Sequence, residues 1–282
     1  MPPQTENSVG LPPHRKLPVL KLAAEAIAMP ARYFRELACF GWVPLLIALG
    51  VRSIQMAVQR LGWEWVGRIP HSFWTVAEGM ILFIVITPLA VAWTRIAIDG
   101  PESAARAKSF SYGHVERRYL GASLLYLIVL AAAIAVPLGV NIHARRIGDP
   151  YLMKESGALI VAALVFVMIA AIRVVFIFPA MATGRNWSLA AAWEQSRGYF
   201  ESLLALDAIV WLPSLFLREI DARLFESITS GLGIALLDTV DVALVLIGWV
   251  MSAGAIALAY KFLVLGEPDV AAPPPAESTA GR

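Results

Sequence analysis

Ionisable side chains within long apolar segments are the best candidates for chemistry in this sequence. Four of them interrupt stretches that are otherwise almost free of charge: Arg52, Glu78, Arg173 and Asp207. A charge at the centre of a bilayer costs roughly 2.5–3.5 kcal/mol on insertion scales, so such residues usually pair or serve a function. Counted from the nearest loops, Arg52 lies level with Glu78, and Arg173 lies level with Asp207. We therefore predict two buried charge pairs, Arg52–Glu78 and Arg173–Asp207.

These charges have two alternative roles. In the first they are packing pairs, or side chains whose heads snorkel toward the membrane surface. In the second, Arg52 and Arg173 form a polar path or a site for lipid headgroups. The sequence leaves both alternatives open.

No catalytic motif accompanies the charged residues. The sequence contains no HExxH, GxSxG, Walker loop or GxGxxG after a strand. His14, His71, His114 and His143 are far apart and lack the spacing of metal ligands. The single Cys39 excludes an internal disulfide and a multi-cysteine metal site. We therefore expect a protein that is not an enzyme and that uses no metal and no cofactor.

The composition predicts the elements that hold these residues. Hydrophobic residues make up 59% of the chain and charged residues 16%, against about 45–50% and about 25% in soluble domains. The apolar residues cluster into runs long enough to cross a hydrocarbon core of about 30 Å. Because backbone groups in lipid must be satisfied within each segment, the sequence predicts an all-α fold. The expected architecture is a polytopic transmembrane helical bundle of about six spans with interfacial amphipathic helices.

The predicted organisation is one membrane domain, residues 19–266, between two proline-containing tails. The tails, 1–18 and 267–282, are expected to be disordered and cytoplasmic. The six spans are predicted near 39–58, 73–98, 119–140, 157–182, 202–217 and 240–265. The fifth is the shortest, and Pro213 interrupts it near its end.

The distribution of Lys and Arg predicts the orientation. With the N-terminus in the cytoplasm, cytoplasmic segments hold about twice as many Lys and Arg as the opposite side, as the positive-inside rule requires. Both termini are then cytoplasmic. A net charge of only +2 argues against nucleic acid as a partner. The expected partners are the lipid bilayer and, as a further candidate, a membrane or cytoplasmic protein.

Arg and Tyr recur where the first, third and fifth spans begin. These residues are Arg32, Tyr33, Arg118, Tyr119, Arg197 and Tyr199. Such residues are typical of anchors at the membrane–water interface, and we predict this role for all six. Their spacing also suggests a unit of one interfacial helix and one hairpin, repeated three times. In a transporter the repeat interface would hold the binding site.

Two groups of residues resemble a known group of proteins. The first group includes Phe178-Pro179, Ala192-Trp193 and Ser196-Arg197-Gly198-Tyr199-Phe200, and the second includes Pro88 to Trp93 and Arg117 to Leu120. They resemble bacterial six-span proteins of unknown function that are similar to the membrane domain of some glycerophosphodiester phosphodiesterases. The resemblance implies the architecture and a bacterial inner (plasma) membrane location. It implies no activity, because the acidic and histidine residues of the phosphodiesterase domain are missing.

Three functions follow as hypotheses. The first is a non-catalytic scaffold or assembly factor that acts through helix packing and cytoplasmic-face helices. The alternative is a small-molecule or lipid transporter that uses the buried charges at hairpin interfaces. An intramembrane enzyme is the least favoured, because no paired carboxylates or metal ligands converge at one depth.

Overall fold

The computed structural model describes residues 16–61, 71–105, 112–185, 187–227 and 231–266, and this part of the chain is helical without strands. The predicted tails fall almost wholly outside these residues. The helices are α1 (Val19–Arg32), α2 (Phe34–Leu61), α3 (His71–Asp99), α4 (Glu102–Ala105), α5 (His114–Ile147), α6 (Pro150–Val174), α7 (Ile177–Ala182), α8 (Leu189–Gln195), α9 (Phe200–Ser227) and α10 (Gly231–Val264).

Within the described residues, six segments are long and apolar enough to cross a membrane, which confirms the predicted all-α, six-span architecture. They are Phe34–Ile54, Gly79–Asp99, His114–Ile147, Pro150–Ala182, Phe200–Asp221 and Thr239–Val264. The chain is therefore a multi-pass membrane protein. Each span overlaps its predicted range, although the first, third and fourth begin five to seven residues earlier than predicted.

Proline affects two spans in ways that differ from the prediction. The fifth span does not end near Pro213, because α9 continues through this residue to Ser227. The fourth span, in contrast, is broken into α6 and α7 by a turn at Val175 and Phe176. Pro179 has no N–H for the Val175 carbonyl, which accepts a shorter-range bond from the Phe178 N–H at 3.3 Å instead.

The core of the bundle surrounds α3 and α10. Trp93 on α3 and Tyr260 on α10 are fully buried. Gly254 on α10 leaves room for the indole, since a Cβ there would lie 3.1 Å from Trp93 Nε1. The amphipathic helix α1 packs into the same cluster through Leu22 and Met29. The apolar side of α1 is thus part of the core.

The α5–α6 hairpin is built by its own turn. Gly148 ends α5 with a left-handed φ of 69°, a conformation that glycine adopts without steric cost. Asp149 then caps α6 by accepting hydrogen bonds from the backbone N–H groups of Tyr151 and Leu152, and Pro150 occupies the first helical position. Large apolar side chains on both helices remain exposed, including Val136 at 72%.

Candidate functional site

The structure pairs Arg52 with a residue that the sequence did not suggest. Arg52 Nη2 lies 3.6 Å from Asp241 Oδ2, and Arg218 Nε lies 2.8 Å from Asp241 Oδ1. Asp241 belongs to α10, so one carboxylate joins α2, α9 and α10. The side chain of Glu78, the predicted partner of Arg52, lies outside the described residues. All three paired residues lie near the same end of their spans, and this common depth was the signal that could have found Asp241.

The predicted pair between Arg173 and Asp207 is wrong. Arg173 Nε and Nη1 are buried and have no hydrogen-bond partner within the described part of the chain, and the guanidinium carbon lies 5.6 Å from the centroid of the Trp193 ring. Asp207 instead accepts a hydrogen bond of 2.6 Å from Ser252 Oγ. The two residues share a depth but lie on helix faces that point to different neighbours.

The arginines and the tyrosines among the six predicted anchor residues have different surroundings. Among the arginines, Arg32 pairs with Glu25 at 3.7 Å and Arg197 pairs with Glu194 at 3.7 Å. Arg118 is exposed on α5. All three are thus polar surface residues.

The tyrosines turn inward. Tyr33 and Tyr199 pack against the central core cluster. Tyr119 stacks against Phe178 at a ring distance of 5.2 Å. Anchoring at the membrane interface therefore stays a prediction, and these tyrosines also have packing contacts.

A groove lies between α3, α10 and the α5–α7 segment. It has a volume of about 200 Å³, and its lining is almost entirely apolar. Representative lining residues are Thr87 on α3, Tyr126 on α5, Phe178 on α7, and Trp249 and Ala253 on α10. We call this cavity the groove. Phe178 lines one wall, and its ring packs edge-on against Tyr126 at a centroid distance of 6.2 Å.

A second cavity of about 150 Å³ adjoins the groove, and we call it the side pocket. The two cavities share Tyr126, Val175, Phe178, Ser252 and Ile256. The side pocket adds residues of α6 and α9, including Leu203, Leu206 and Asp207.

Polar groups in the two cavities are few. The Tyr126 hydroxyl is buried and lacks a hydrogen-bond partner in the described part of the chain. The Asp207 carboxylate is already bonded to Ser252. A small number of polar groups on an apolar surface is typical of a binding site, in which they orient the ligand. The sequence identified Asp207 through its charge, but Tyr126 carried no signal beyond its aromatic character.

Two cationic side chains donate hydrogen bonds to carbonyls at the C-terminal ends of helices beside the groove. Arg95 Nε donates to the Ala182 carbonyl at 2.7 Å, and its Nη1 lies 3.5 Å from Glu116 Oε1. Lys261 Nζ donates to the Ile98 carbonyl at 2.9 Å. Because helix C-termini leave carbonyls without partners and carry partial negative charge, these contacts stabilise the ends of α7 and α3. They fix the helices that form the walls.

Comparison with known proteins gives no matching family model, no matching curated protein and no matching solved structure. The fold and the site define the class: a multi-pass helical membrane protein with an apolar groove at the level of its spans.

Proposed function

We propose that this protein binds the hydrocarbon part of a membrane lipid, or a similar apolar small molecule, in the groove and moves or presents it without catalysis. The observation that carries the proposal is the groove itself, an apolar cavity of about 200 Å³. Apolar cavities of about 150 Å³ stay dry and bind molecules such as benzene. The groove therefore has room for part of an acyl chain.

Access from the bilayer supports a lipid over a water-soluble molecule. Trp249 lines the groove and is 44% exposed on the outer surface of the bundle. Leu127 and Ala253 on opposite walls are partly exposed as well. An opening on the side of a transmembrane bundle faces hydrocarbon, where an acyl chain enters without leaving an apolar environment.

The binding test uses a phospholipid with a photoactivatable diazirine within one acyl chain, added to the purified protein in nanodiscs. We expect labelling of peptides that contain Tyr126 and Phe178. Ala253→Phe fills the groove and should remove most of that labelling. Ala132→Phe, on the exposed side of α5, adds the same ring outside the groove and should leave it unchanged. Equal labelling in all three proteins would contradict the proposal.

A second assay separates moving a lipid from presenting it. Proteoliposomes with a fluorescent phospholipid in both leaflets are treated with an impermeant quencher. If the protein moves lipids between leaflets, wild type and Ala132→Phe should allow the quencher to remove more fluorescence than the outer leaflet contributes. With Ala253→Phe, quenching should stop once the outer-leaflet fluorescence is lost. Labelling of the groove without such quenching would restrict the function to binding and presentation.

A scaffold function is the second candidate, and the α5–α6 hairpin favours it. Only 11% of the α5 window and 17% of the α6 window are buried within the chain. A membrane partner would find a long apolar surface there. A pull-down from native membranes in mild detergent tests this function: a stoichiometric protein partner that is lost with Val136→Trp on the hairpin surface would favour it over lipid handling.

The proposed location is the bacterial inner membrane with both termini in the cytoplasm. The excess of Lys and Arg on one side supports this orientation. Reporter fusions test it: a fusion after Arg282 should be active only with a cytoplasmic reporter. A fusion in the α5–α6 turn, after Gly148, should be active only with a reporter that needs export.

A further inference from the structure

Arg173 lies in the last turn of α6, where α8 crosses it. Its backbone carbonyl accepts a hydrogen bond from Ser196 Oγ at 2.8 Å, which ties the end of α8 to α6. Its guanidinium lies under the Trp193 ring of α8. Arg173 lines neither the groove nor the side pocket. The junction of α6 and α8 is therefore a separate place in the molecule.

The guanidinium at this junction has unused hydrogen-bonding capacity. Nε and Nη1 are both shielded from solvent, and neither donates to another group in the described residues. Buried polar groups are nearly always hydrogen-bonded, and an exception calls for a missing partner. Nε and one terminal nitrogen form the planar fork that binds two oxygens of a phosphate or carboxylate at once.

Neighbouring acidic groups do not supply that partner. Glu194 on α8 pairs with Arg197 at 3.7 Å, and Asp207 on α9 is bonded to Ser252. Among the described residues, Arg173 forms no ion pair, and its guanidinium contacts the Trp193 ring.

We propose that Arg173 is the receptor for the phosphate group of an anionic membrane lipid, held at the junction of α6 and α8. The Trp193 ring lies 5.6 Å from the guanidinium carbon, and the Nε and Nη1 edge is shielded in this arrangement. Because the Trp193 side chain is 43% exposed, a rotation of this ring opens the shielded nitrogens.

The position of the junction favours a lipid phosphate over a soluble anion. α6 forms most of a membrane span, and Arg173 lies one residue before the end of α6 and nine residues before the end of that span at Ala182. α8 carries Leu189, which is 59% exposed, beside Trp193. Exposed Leu and Trp on a short helix that covers the end of α6 are typical of the headgroup region. A lipid there has its phosphate within reach of the guanidinium and its chains along α6.

The experiment is native mass spectrometry of the full chain in detergent, titrated with phosphatidylglycerol or phosphatidylcholine. Wild type should bind a first phosphatidylglycerol more tightly than phosphatidylcholine. Arg173→Gln should weaken that first event by about tenfold or more, since charged hydrogen bonds are lost. Arg173→Lys should retain part of it, because charge remains without the fork. Arg197→Gln removes an equal charge from a nearby exposed, paired arginine and should change nothing.

Thermal unfolding distinguishes a binding site from a packing contact. Without anionic lipid, Arg173→Gln should unfold at the same temperature as wild type or higher, since it removes a buried charge without a partner. With phosphatidylglycerol, only wild type and Arg197→Gln should gain stability. A variant that is less stable by the same amount with and without the lipid would overturn the proposal, because Arg173 would then act only through Trp193.

Inorganic phosphate tests the source of the ligand. If millimolar phosphate fails to displace the first phosphatidylglycerol, the lipid proposal stands. If phosphate alone stabilises wild type and displaces the lipid, the site takes soluble anions and the lipid proposal is overturned. Equal binding of phosphatidylglycerol by wild type and Arg173→Gln would also overturn it. All these readouts are independent of the groove, so they fail or succeed separately from the proposed function.

Discussion

The central helices α3 and α10 and the α5–α6 hairpin cross the same bilayer, but they differ in how much of each span is buried within the chain. Of their span windows, 67% of α3 and 56% of α10 are buried within the chain, against 11% of α5 and 17% of α6. The centre is held by aromatic residues packed against small ones, such as Trp93 against Gly254. The hairpin is joined by polar contacts, in which Asn141 Nδ2 donates to Ser156 Oγ at 2.9 Å.

This difference in burial is possible because the solvent around the spans is lipid and not water. In water an exposed apolar hairpin would be driven onto the core, but in lipid the hydrocarbon is as apolar as the side chains. Close packing and interhelical hydrogen bonds then decide which helices associate. The central helices pack large aromatic residues against small ones, and the hairpin adds interhelical hydrogen bonds to its own packing. Substitutions in the two regions should therefore have different effects.

The largest effect is expected from Trp93→Ala. Removing a fully buried aromatic side chain costs about 3–5 kcal/mol through lost packing and the cavity left behind. Denaturant unfolding of the purified protein in detergent measures the change. Val136→Ala in the hairpin, where the side chain is 72% exposed, should stay within about 0.5 kcal/mol of wild type. Similar losses in both variants would remove the distinction between the two regions.

Glycine to alanine substitutions should have opposite signs in the two regions. A Cβ at Gly248 on α10 would lie 2.7 Å from the Trp211 ring, whereas a Cβ at Gly157 on α6 meets nothing within 4 Å. Gly248→Ala should destabilise by about 1–3 kcal/mol through overpacking. Gly157→Ala should stabilise by up to about 1 kcal/mol through helix propensity. Unfolding midpoints check both, and a stabilising Gly248→Ala would show that the helices separate easily.

A smaller and local effect is expected from Asn141→Ala. It removes the hydrogen bond to Ser156 and the one accepted from Arg145 Nε at 3.0 Å. Interhelical hydrogen bonds in membranes contribute about 0.6 kcal/mol on average and up to about 1.7 kcal/mol. Hydrogen exchange should increase at the amides of α5 and α6 and stay unchanged in α10. His143→Ala, an exposed neighbour, is the control, and faster exchange throughout the bundle would contradict a local role.

The smallest effect is a pH dependence from Glu25 in α1. Burial raises the pKa of this carboxyl, while Arg32, Lys21 and Lys261 oppose the rise. A raised pKa in the folded state means that the ionised form destabilises the fold, so stability should increase as the pH falls through that raised pKa. Glu25→Gln should be more stable than wild type at neutral pH and should lose this part of the dependence. Glu36→Gln is the matched control, and unfolding at several pH values measures all three.

The six spans could be predicted because composition and length alone fix them. Whether an individual proline breaks its helix could not be predicted, because Pro179 accompanies a break and Pro213 does not. A proline frees a carbonyl in either case, and the surrounding helices decide whether the helix continues.

The charge pairs show the corresponding limit for the site. Position in a span gives the depth of a residue but not the direction in which its side chain points. Arg173 and Asp207 share a depth and face α8 and α10 respectively. Asp241 satisfies Arg52 because it lies at the right depth and on the right face. The groove was beyond the sequence, since its walls come from distant segments of ordinary apolar composition.

The burial of α1 has a consequence for biosynthesis. This helix leaves the ribosome before the other described helices, but the helices that it packs against most, α9 and α10, are the last of them. At about 5–20 residues per second, the roughly 230 residues between the ends of α1 and α10 take about 10–50 s to synthesise. During that interval the apolar side of α1 needs another apolar environment, and an amphipathic helix finds one by lying on the membrane surface. In a chain truncated before α9, α1 would stay on the membrane surface. In the full chain, α1 packs into the bundle only after α9 and α10 have been made.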